Sequence, residues 1–473
     1  MPKKPSPSLA VVVLAAGRGK RLKSKVPKVL HPVCGRPILW HVLRAASKLK
    51  PRTLAVVVAN GREVEDAVRS WNLAPEAVFV DQGEPLGTGH AVLAAEDAVG
   101  KAHDVVVLPG DEALVTGDML VRLVKTHRRR NAAATIQTTE LSDPRGFARV
   151  VRDGERFVRL AEDQSGDPEI RAIREIATCV YAFRRTSLYA ALPLVGNDNR
   201  QGEYYLPDVP GILVEKGEPM VAESADLGDT VGANSRAELA KATAVMRRRI
   251  NASHMDAGVT LTDPDRTYVD VEVRIGADSV IHPLTFLEGS TRIGKEAVIG
   301  PSTRIVDSSI GDGTEVQFSV VRGARVGKGV SVGPYASVRP GTVLDDGSKA
   351  GTFVEIKASR VGAGSKVPHL SYVGDTKVGK RVNVGAATVT ANYDGYDKHE
   401  TVIEDDARIG SDTMLVAPVR VGKGAVTGAG SVITRDVPPG SLAVERSEQR
   451  IVEGYRKRKD RERGGRKRGR SKG

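Results

Sequence analysis

Aliphatic side chains recur at every sixth residue in the second half of the chain, and this spacing predicts the fold of that half. They form three runs, at Ile293, Ile299 and Ile305, at Val326, Val332 and Val338, and at Ile403, Ile409, Leu415 and Val421. A period of six fits neither a helix nor an alternating strand, but it fits a coil of three short parallel strands whose corners recur every six residues. Each aliphatic side chain then points into a narrow prism, and the glycine that follows most of them accommodates a tight corner. We therefore predict a three-sided parallel β-helix.

The first half alternates strand-like with helix-like segments, which predicts an α/β domain with a mostly parallel sheet. The apolar runs are residues 9–15, 54–59, 77–80 and 104–108, and amphipathic stretches are residues 37–49 and 62–70.

A single helix is predicted between the halves, at residues 235–255, with an apolar stripe at Leu239, Val245 and Met246. Its three consecutive arginines, Arg247–Arg249, are expected at a solvated helix end. The expected organisation is therefore an α/β domain at residues 9–234, a linker helix at 235–255 and a β-helix at 256–455. Residues 1–8 and 456–473 are expected to be disordered.

Composition excludes several classes of protein. The two cysteines, Cys34 and Cys179, offer neither a disulfide framework nor the spacing of a metal site, so we expect a reducing, cytoplasmic location. No apolar stretch is long enough to span a bilayer. The apolar start of the chain is similar to a signal peptide, but the run is short and leads into a glycine-rich basic loop, as a buried first strand does.

The net charge of +13 is concentrated at the C-terminus, where residues 456–473 hold eleven Lys or Arg against Asp460 and Glu462. That segment has no apolar residue with which to build a core, so a solvated tail is expected. The alternative is contact with a nucleic acid or an anionic surface. A nucleic-acid-binding repeat protein would depend on this tail alone, since aromatic residues make up only 4% of the chain.

A glycine-rich segment, LAAGRGKRLKSKVPKVL at residues 14–30, follows the first predicted strand. Its small residues let backbone amides approach a phosphate chain, and Arg21 and Lys28 add positive charge beside it. The spacing is neither that of a Walker loop nor that of a dinucleotide fingerprint.

Together with LGTGHA at residues 86–91 and the pair Gly110 and Asp111, this segment resembles the sugar nucleotidyltransferases. The hexapeptide half resembles acyltransferases that use acyl-CoA, and this resemblance implies that the β-helix is left-handed. With both halves in this order, residues 9–455 resemble the bifunctional family of N-acetylglucosamine-1-phosphate uridyltransferases and glucosamine-1-phosphate acetyltransferases of bacterial cell-wall synthesis.

The resemblance implies a first site in which a sugar 1-phosphate attacks the α-phosphate of UTP. Two anionic reactants must be aligned there, which suits Mg²⁺ with oxygen ligands. The family implies Asp111 and Asn234 for the metal. It implies Leu14, Gly17, Arg21, Lys28, Gln82, Gly87 and Thr88 for the nucleotide, and Gly146, Glu162 and Tyr205 for the sugar phosphate.

The match to the family weakens near the sugar. The family pattern EINTG is EIATC here, so Ala177 replaces an asparagine and Cys179 replaces a glycine. Pro109 stands where an aromatic residue is usual, and Ala113 where a proline is usual. Loss of one hydrogen bond to the sugar costs about 1–3 kcal/mol. An alternative is therefore an acetyltransferase whose first domain is impaired or selects a different sugar.

For the second site the resemblance implies His369 as the general base, because a neutral imidazole near pH 7 suits removal of a proton from an amine. The six-residue register breaks between Lys366 and Val373, so we expect His369 in a loop or irregular coil. The residues implied for the sugar phosphate are Arg339, Lys357, Tyr372, Asn383 and Lys398. Those implied for acetyl-CoA are Ala386, Asn392, Tyr393, Ser411, Ala429 and Arg446. Residues 391–400 are expected to form an inserted loop, and the family implies a homotrimer.

Overall fold

The computed structural model describes residues 7–17, 19–59, 62–141, 143–145, 147–154, 156–161, 167–199, 201–224, 232 and 234–469. The chain divides into two compact units. The first unit extends to Ala257 and also contains Pro264–Val273 and Leu287–Gly289; the second contains the remaining residues from Gly258 onward. No helix among the described residues is long and apolar enough to cross a membrane.

A nine-stranded sheet forms the centre of the first unit. Its strands are β1 (Leu9–Leu14), β4 (Thr53–Val58), β5 (Val78–Asp81), β6 (Asp104–Pro109), β7 (Ala134–Glu140), β8 (Arg149–Asp153), β9 (Arg156–Ala161), β10 (Glu175–Arg184) and β11 (Met220–Ser224), while β2 (Pro32–Val33) and β3 (Arg36–Pro37) form a separate pair. The helices are α1 (Ile38–Ser47), α2 (Glu63–Ser70), α3 (Thr88–Ala94), α4 (Glu96–Val99), α5 (Gly117–Arg129), α6 (Pro168–Ala172), α7 (Arg185–Ala191), α8 (Val209–Glu215) and α9 (Arg236–Asp256).

The main path of the sheet runs β11-β7-β10-β6-β1-β4-β5. The pairs β1 with β4, β1 with β6, β4 with β5 and β7 with β11 are parallel, whereas β10 is antiparallel to both β6 and β7. The predicted α/β class is therefore confirmed, and the main path of the sheet is mostly parallel. The antiparallel strands are β10 and the side branch of β8 and β9, in which β8 pairs with both β10 and β9. Strand β1 is fully covered because two separate apolar clusters contain its alternate residues, Ala10 and Val12 on one side and Val11 and Val13 on the other.

Helix α9 begins at a capping box, in which the Ser235 side chain accepts from the Glu238 N–H and the Glu238 carboxylate accepts from the Ser235 N–H. Its buried residues Ala242 and Met246 join a cluster with residues of the same unit, among them Ile38. The helix expected as a linker is therefore packed into the first unit.

The solvated arginine run expected in α9 is only partly correct. Arg249 donates to the Leu114 carbonyl over 2.8 Å, and the Arg247 guanidinium lies 4.8 Å from the centre of the Tyr268 ring. Only Arg248 is exposed. The Arg247 and Arg249 side chains extend over the neighbouring surface because their methylene stems pack against it.

Short strands from Thr260 onward have the predicted periodicity of three parallel strands per turn. They lie in the second unit except for Thr267–Val269 and the end of Thr285–Glu288, which lie in the first. Through most of the prism each strand pairs in parallel with the third strand after it, so that Ile281 faces Ile299 and Ile299 faces Val316. The last strand, Leu442–Ala443, differs, because it pairs with the second strand before it, Val426–Thr427. The six-spaced aliphatic residues are all buried inside the prism, at 5% exposure or less. The strands are β12 (Thr260–Leu261), β13 (Thr267–Val269), β14 (Arg274–Ile275), β15 (Val280–Ile281), β16 (Thr285–Glu288), β17 (Arg292–Ile293), β18 (Val298–Ile299), β19 (Arg304–Val306), β20 (Ser309–Ile310), β21 (Glu315–Val316), β22 (Val320–Arg322), β23 (Arg325–Val326), β24 (Ser331–Val332), β25 (Ser337–Val338), β26 (Val343–Leu344), β27 (Lys349–Thr352), β28 (Glu355–Lys357), β29 (Arg360–Val361), β30 (Lys366–His369), β31 (Tyr372–Gly374), β32 (Thr376–Val378), β33 (Asn383–Val384), β34 (Val389–Ala391), β35 (Thr401–Ile403), β36 (Arg408–Ile409), β37 (Met414–Val416), β38 (Val419–Val421), β39 (Val426–Thr427), β40 (Val432–Ile433) and β41 (Leu442–Ala443).

The C-terminal segment differs from the expected disorder, because helix α10 spans Tyr455–Gly469. Arginine and lysine are good helix formers, and the pairs Arg456 with Asp460 and Lys459 with Glu462 stand at helical spacing. The side chains of residues 455–463 are exposed, so the segment adds no core.

Candidate active sites

A first cluster of polar side chains lies at the carboxyl ends of the parallel neighbours β1 and β6. Leu14 is the last residue of β1, and Asp111 follows the end of β6 by two residues. The Gly110 N–H donates to the Leu14 carbonyl over 2.8 Å. A Cβ at Gly110 would lie 2.7 Å from that oxygen, so glycine is needed to bring Asp111 beside the end of β1.

Two cations and two oxygens converge in this cluster. The Lys28 ammonium contacts Asp111 Oδ2 and lies 2.5 Å from Asn234 Oδ1. Arg21 Nη2 donates to the same Asn234 oxygen over 2.9 Å. Lys28 is held in place because it begins a short 3₁₀ helix after Pro27 and packs over Gly19, where a Cβ would lie 2.7 Å from its own Cβ. The structure thus brings together four of the residues predicted from the sequence.

The donor set fits a hard divalent cation. Asp111 Oδ2 and Asn234 Oδ1 both contact one ammonium, so the two oxygens face a common point that favours positive charge. Mg²⁺ prefers such oxygens and commonly takes one or two protein ligands together with substrate phosphates. Among the described residues there is no cluster of three or more His, Cys, Asp or Glu that would form a closed metal cage.

Glu112 also belongs to this cluster, although no sequence motif marks it. Its Oε2 is buried and has no hydrogen-bond partner among the described residues. Burial raises the pKa of Glu112 well above its ordinary value, the Asp111 charge raises it further, and Lys28 opposes both. A Cβ at Gly232 would lie 3.0 Å from Glu112 Oε1 and 3.6 Å from Asn234 Nδ2, so Glu112 lies near the amide of Asn234.

Two of the residues predicted to surround the nucleotide base, Gln82 and Gly87, contact each other. Gln82 follows β5, is 7% exposed and donates from Nε2 to the Gly87 carbonyl over 2.9 Å. Thr88 begins α3, and its Oγ1 accepts from the Leu206 N–H over 3.0 Å.

Gly87 has φ +118°, and a Cβ on it would lie 2.5 Å from the Tyr204 carbonyl oxygen. The segment containing Tyr204 and Tyr205 is therefore docked directly on the loop that holds Gly87.

A Cβ at Gly17 would meet no atom within 4 Å, so the loop after β1 leaves open space there. Gly146 and Glu162, predicted for the sugar phosphate, lie outside the described residues.

Two of the four departures from the family pattern, Ala177 and Cys179, lie on β10. Ala177 is buried at 3% exposure, and its N–H donates to the Ala148 carbonyl over 3.1 Å. The register of β10 against β7 shifts between Ala177 and Tyr181, and Cys179 within this bulge has φ +61°. This left-handed conformation explains why glycine suits the position and why cysteine is strained there.

In the second unit, His369 begins a column of residues along one corner of the prism. Backbone hydrogen bonds between successive turns define the column, and in each bond the donor is the residue that follows the column member on the next turn. The bonds are Ala387 N to the His369 carbonyl at 3.4 Å, Asp412 N to the Ala386 carbonyl at 2.7 Å, and Gly430 N to the Ser411 carbonyl at 2.8 Å. The column is therefore His369, Ala386, Ser411 and Ala429, one residue per turn. Arg446 Nη1 donates to the Ala429 carbonyl over 3.0 Å at its far end.

Successive turns are about 4.8 Å apart, so the column is about 14 Å long. An imidazole at one end, small side chains between and a guanidinium at the other end suit an extended ligand with an anionic terminus.

His369 is not in a loop or irregular coil, and that expectation is wrong. It is the last residue of β30, in register with Thr352 of β27, and its side chain is exposed. The spacing between Lys366 and Val373 changes because β30 is four residues long instead of two, so the strand continues to the corner and ends at His369.

Three cations converge on the next corner. Lys357 Nζ lies 3.4 Å from Asp375 Oδ2, and the side chain of Lys398 lies beside it. The pKa of Lys398 is lowered chiefly by that same contact with Lys357 and further by Arg339. Arg339 Nη1 also contacts Glu355 Oε1 at 2.7 Å. Cations held this close together favour an anionic ligand such as a phosphate.

Strand β31 connects the His369 corner to the cation corner. Tyr372 begins it, and a Cβ at Gly374 would lie 2.5 Å from the Tyr372 hydroxyl, so the phenol lies over that glycine. Asp375 follows β31 and is contacted by both Lys357 and the 7% exposed Asn392. Asp375 is missing from the set of residues predicted from the sequence, and its place at the site is visible only from these two contacts.

Asn383 lies on β33 and is exposed, in register with Lys366 and Arg408. The inserted loop expected at residues 391–400 connects β34 to β35. Within it Tyr393 forms a bridge with Lys398, and the Tyr393 hydroxyl donates to the Gly395 carbonyl over 2.7 Å.

An apolar stack covers the corner that bears His369. Phe318, Tyr335 and Phe353 follow one another on successive turns, with ring centres 5.6 Å and 5.3 Å apart, and all three are exposed, as is Leu370 on the next turn. A contiguous exposed apolar surface of this kind is typical of a protein interface.

Comparison with known proteins identifies both units. A MobA-like NTP transferase domain matches residues 11–247, and the bacterial transferase hexapeptide model of six repeats matches residues 400–435, which makes the prism a left-handed parallel β-helix.

Relatives named "Bifunctional protein GlmU" match almost the whole chain. That of Heliobacterium modesticaldum is 48% identical over 451 residues, covering 95% of this chain and 98% of the relative. That of Streptomyces coelicolor is 49% identical over 455 residues, covering 95% and 94%, and that of Halalkalibacterium halodurans is 45% identical over 447 residues, covering 94% and 97%. The chain therefore belongs to the bifunctional GlmU family.

Proposed function

We propose that the protein acetylates glucosamine 1-phosphate with acetyl-CoA at the β-helix and then transfers UMP from UTP to N-acetylglucosamine 1-phosphate at the α/β domain. The products of the second step are UDP-N-acetylglucosamine and pyrophosphate. The observation that carries this proposal is that two clusters of the predicted site residues lie in two separate units. The Lys28, Asp111 and Asn234 cluster belongs to the first unit, and the column from His369 belongs to the second.

At the β-helix, His369 is the general base. The neutral amine of glucosamine 1-phosphate attacks the thioester carbonyl, and His369 accepts the proton that the nitrogen loses. As the C–S bond breaks, this proton passes to the departing sulfur, so that CoA leaves as its thiol and His369 is neutral again. The exposed position of His369 at the end of the column supports this role, because the thioester end of an extended CoA arm along Ala386, Ser411 and Ala429 would lie beside it. Arg446 would then contact a CoA phosphate. Asn392 and Tyr393 are proposed to contact acetyl-CoA from the inserted loop.

The sugar phosphate of this site is held by Arg339, Lys357 and Lys398. Their mutual proximity supports the proposal, since the repulsion between the cations is relieved by a dianionic phosphate. Tyr372 and Asn383 are proposed to contact the sugar. Asp375 is a positioning residue, because it contacts Lys357 and Asn392 at the same time.

At the α/β domain, the loop after β1 receives the triphosphate. The open space at Gly17 and the end of β1 at Leu14 let backbone amides approach it, and Arg21 and Lys28 supply positive charge. Gln82, Gly87 and Thr88 are proposed to hold the uridine, and Tyr205, Gly146 and Glu162 the sugar phosphate. Mg²⁺ held by Asp111 and Asn234 would, when bound, neutralise charge on the phosphates.

The residues of the chain align the two anionic reactants, and this alignment is the larger part of catalysis in phosphoryl transfer. Lys28 contacts both Asp111 and Asn234, so its ammonium would lie beside the phosphates of a triphosphate bound at this end of β1. An Asp111→Ala variant is expected to lose uridylyl transfer while the acetyl site is unaffected.

We further propose a homotrimer, with the stacked Phe318, Tyr335 and Phe353 corner as the subunit contact. We place the enzyme in the cytoplasm because Cys34 and Cys179 are both free thiols.

The second candidate is an acetyltransferase with an impaired or differently selective uridylyl site. Buried Ala177 and strained Cys179 on β10 favour it. Pyrophosphate release from UTP and N-acetylglucosamine 1-phosphate separates the two candidates. Turnover comparable with that of the acetyl step supports the bifunctional enzyme, and turnover at least a hundredfold slower, with acetyl transfer intact, supports the second candidate.

A further inference from the structure

One face of the β-helix carries a straight row of basic side chains that neither proposed activity uses. The strands of this face stack in exact parallel register, each contributing one outward position. Six of the nine positions are Arg or Lys and none is acidic. We call these nine residues the basic row: Arg274, Arg292, Ser309, Arg325, Val343, Arg360, Lys377, Val402 and Arg420.

Three cations of the basic row are paired. Arg360 lies 2.9 Å from Asp345, Lys377 lies 2.8 Å from Glu400, and Arg420 lies 2.7 Å from Glu404. These pairs lie at the surface, where water and salt weaken an ion pair, so a competing anion can exchange with the carboxylates.

The other three cations, Arg274, Arg292 and Arg325, are exposed and form no ion pair within the described part of the chain. The row therefore has three cations in excess of its paired acids. On each of the other two faces, the equivalent row of outward positions includes an acidic residue. It is Glu315 on the face that contains β27 and β30, and Glu355 on the face that contains β28 and β31.

A recess separates two of the unpaired arginines. It has a volume of about 390 Å³ and lies where the short Ser309 side chain stands between Arg292 and Arg325. Its other walls are mainly small residues, including Ser290 and Thr342. Asp307 also lines it, and its Oδ1 accepts from both the N–H and the hydroxyl of Ser290, at 2.9 Å and 3.1 Å. The lining therefore contains two guanidinium groups and one carboxylate. The recess thus offers room for a group that bridges the two guanidinium groups.

The basic row remains accessible in the proposed trimer. The stacked aromatic corner, which includes Phe353, lies between β27 and β28 and thus between the other two ladders. In a three-sided prism that corner is opposite the face of the basic row. Subunit contact through the corner therefore leaves the row facing solvent, and this step depends on the trimer proposed above.

We propose that the basic row binds the phosphodiester backbone of a single-stranded nucleic acid. A single file of cations matches a linear polyanion, whereas a membrane surface would favour a broad patch with apolar side chains to insert. Nine strands span eight steps of about 4.8 Å, or about 38 Å. A stacked strand carries one phosphate per 3.4 Å, so about eleven phosphates would lie along the row, roughly two for each cation.

The row contains no aromatic side chain and so offers no platform for base stacking. Contacts to phosphates alone carry no sequence information, and we therefore expect binding that is independent of sequence and strongly dependent on salt.

The test uses the full chain and a fluorescein-labelled thymidine 20-mer, with binding followed by anisotropy between 50 and 200 mM NaCl. Arg274→Gln, Arg292→Gln and Arg325→Gln are combined in one variant. Loss of three phosphate contacts should reduce the slope of log K against log salt by about 2, because each contact on a single strand contributes about 0.7. The C-terminal cations remain in every protein, so the difference in slope reports the row.

The control variant combines Arg122→Gln, Lys125→Gln and Arg129→Gln, which remove the same charge from the exposed side of α5. Its slope should equal that of the unaltered protein. Acetyl transfer should be retained by both variants, since none of these six residues belongs to either proposed site, and this shows that both are folded.

Three results would overturn the proposal: no binding of the 20-mer at 50 mM NaCl, an unchanged slope in the row variant, or equal losses in the row and control variants. A fourth would reassign the surface to lipid. In that case, vesicles containing phosphatidylserine would bind in a row-dependent manner while the 20-mer would not.

Discussion

Gly87→Ala tests whether the loop that holds Gly87 and the segment that contains Tyr204 form one binding surface for the nucleotide. Gly87 has φ +118°, and a Cβ on it would lie 2.5 Å from the Tyr204 carbonyl oxygen and 2.7 Å from the Tyr204 nitrogen. Both are backbone atoms, so neither can move away by changing a rotamer. The substitution therefore has to displace the Tyr204 segment.

The size of the effect follows from the contacts that displacement breaks. Three hydrogen bonds link the two segments: Gly89 N to the Tyr204 carbonyl at 2.8 Å, Tyr204 N to the Leu86 carbonyl at 2.8 Å, and Leu206 N to Thr88 Oγ1 at 3.0 Å. At about 1 kcal/mol for each bond, displacement costs about 2–3 kcal/mol. Since 1.36 kcal/mol is a factor of ten in rate, kcat/KM for uridylyl transfer should fall about 30- to 150-fold.

The assay is pyrophosphate release for the first site and thiol release from acetyl-CoA for the second, measured on one preparation. Gly83→Ala is the matched control. Gly83 also has a positive φ, +68°, but a Cβ there meets no atom within 4 Å, so the substitution adds backbone strain of about 1–2 kcal/mol without displacing the segment. Uridylyl transfer by the control should stay within about fivefold of normal, and acetyl transfer should be unchanged in both. If Gly87→Ala keeps more than half of the uridylyl activity, or if both variants lose it equally, the reasoning is refuted.

Three further predictions concern stability and assembly. Cys179 is exposed and has φ +61°, so Cys179→Gly should relieve backbone strain and stabilise the protein by about 1 kcal/mol. The melting temperature should then rise by about 2–4 °C. The control Cys179→Ala keeps the strain and should not raise the melting temperature. Phe353→Glu should place a charge in the apolar corner and convert the trimer to a monomer by light scattering, with loss of acetyl transfer; an unchanged mass would contradict the proposed contact. Burial lowers the pKa of His127 to about 4 from an ordinary value of 6.5, so the folded state binds fewer protons than the unfolded state between these values. Stability should therefore fall as the pH falls from 6.5 to 4, and a urea midpoint that is flat over this range, or one that falls as steeply in His127→Gln, would contradict this.

The architecture could be predicted because it depends on periodicities within short stretches of sequence. The six-residue spacing that begins at Ile293 identifies the prism, since one inward aliphatic side chain per face is a local requirement. The same reasoning failed at His369, where a change of spacing indicated a loop but reflects a longer strand. A changed spacing alone does not distinguish an inserted loop from a strand that extends to the corner.

The parts of the sites that the sequence did not predict depend on contacts between distant residues. Asp375 matters because Lys357 and Asn392, at least 17 positions away, contact it. Glu112 adjoins a predicted ligand, yet its environment includes Gly232, which is 120 positions away and where a Cβ would lie 3.0 Å from Glu112 Oε1. Such environments are products of tertiary packing, so residue type and local spacing carry no signal for them.

The claim that two independent sites act in one chain is tested most directly by measuring both half-reactions on His369→Ala and Asp111→Ala. We expect His369→Ala to lower acetyl transfer by about a hundredfold or more with uridylyl transfer unchanged, because a positioned general base contributes about 10²–10⁴-fold. Asp111→Ala should give the reverse pattern. Loss of both activities in either folded variant would contradict the account.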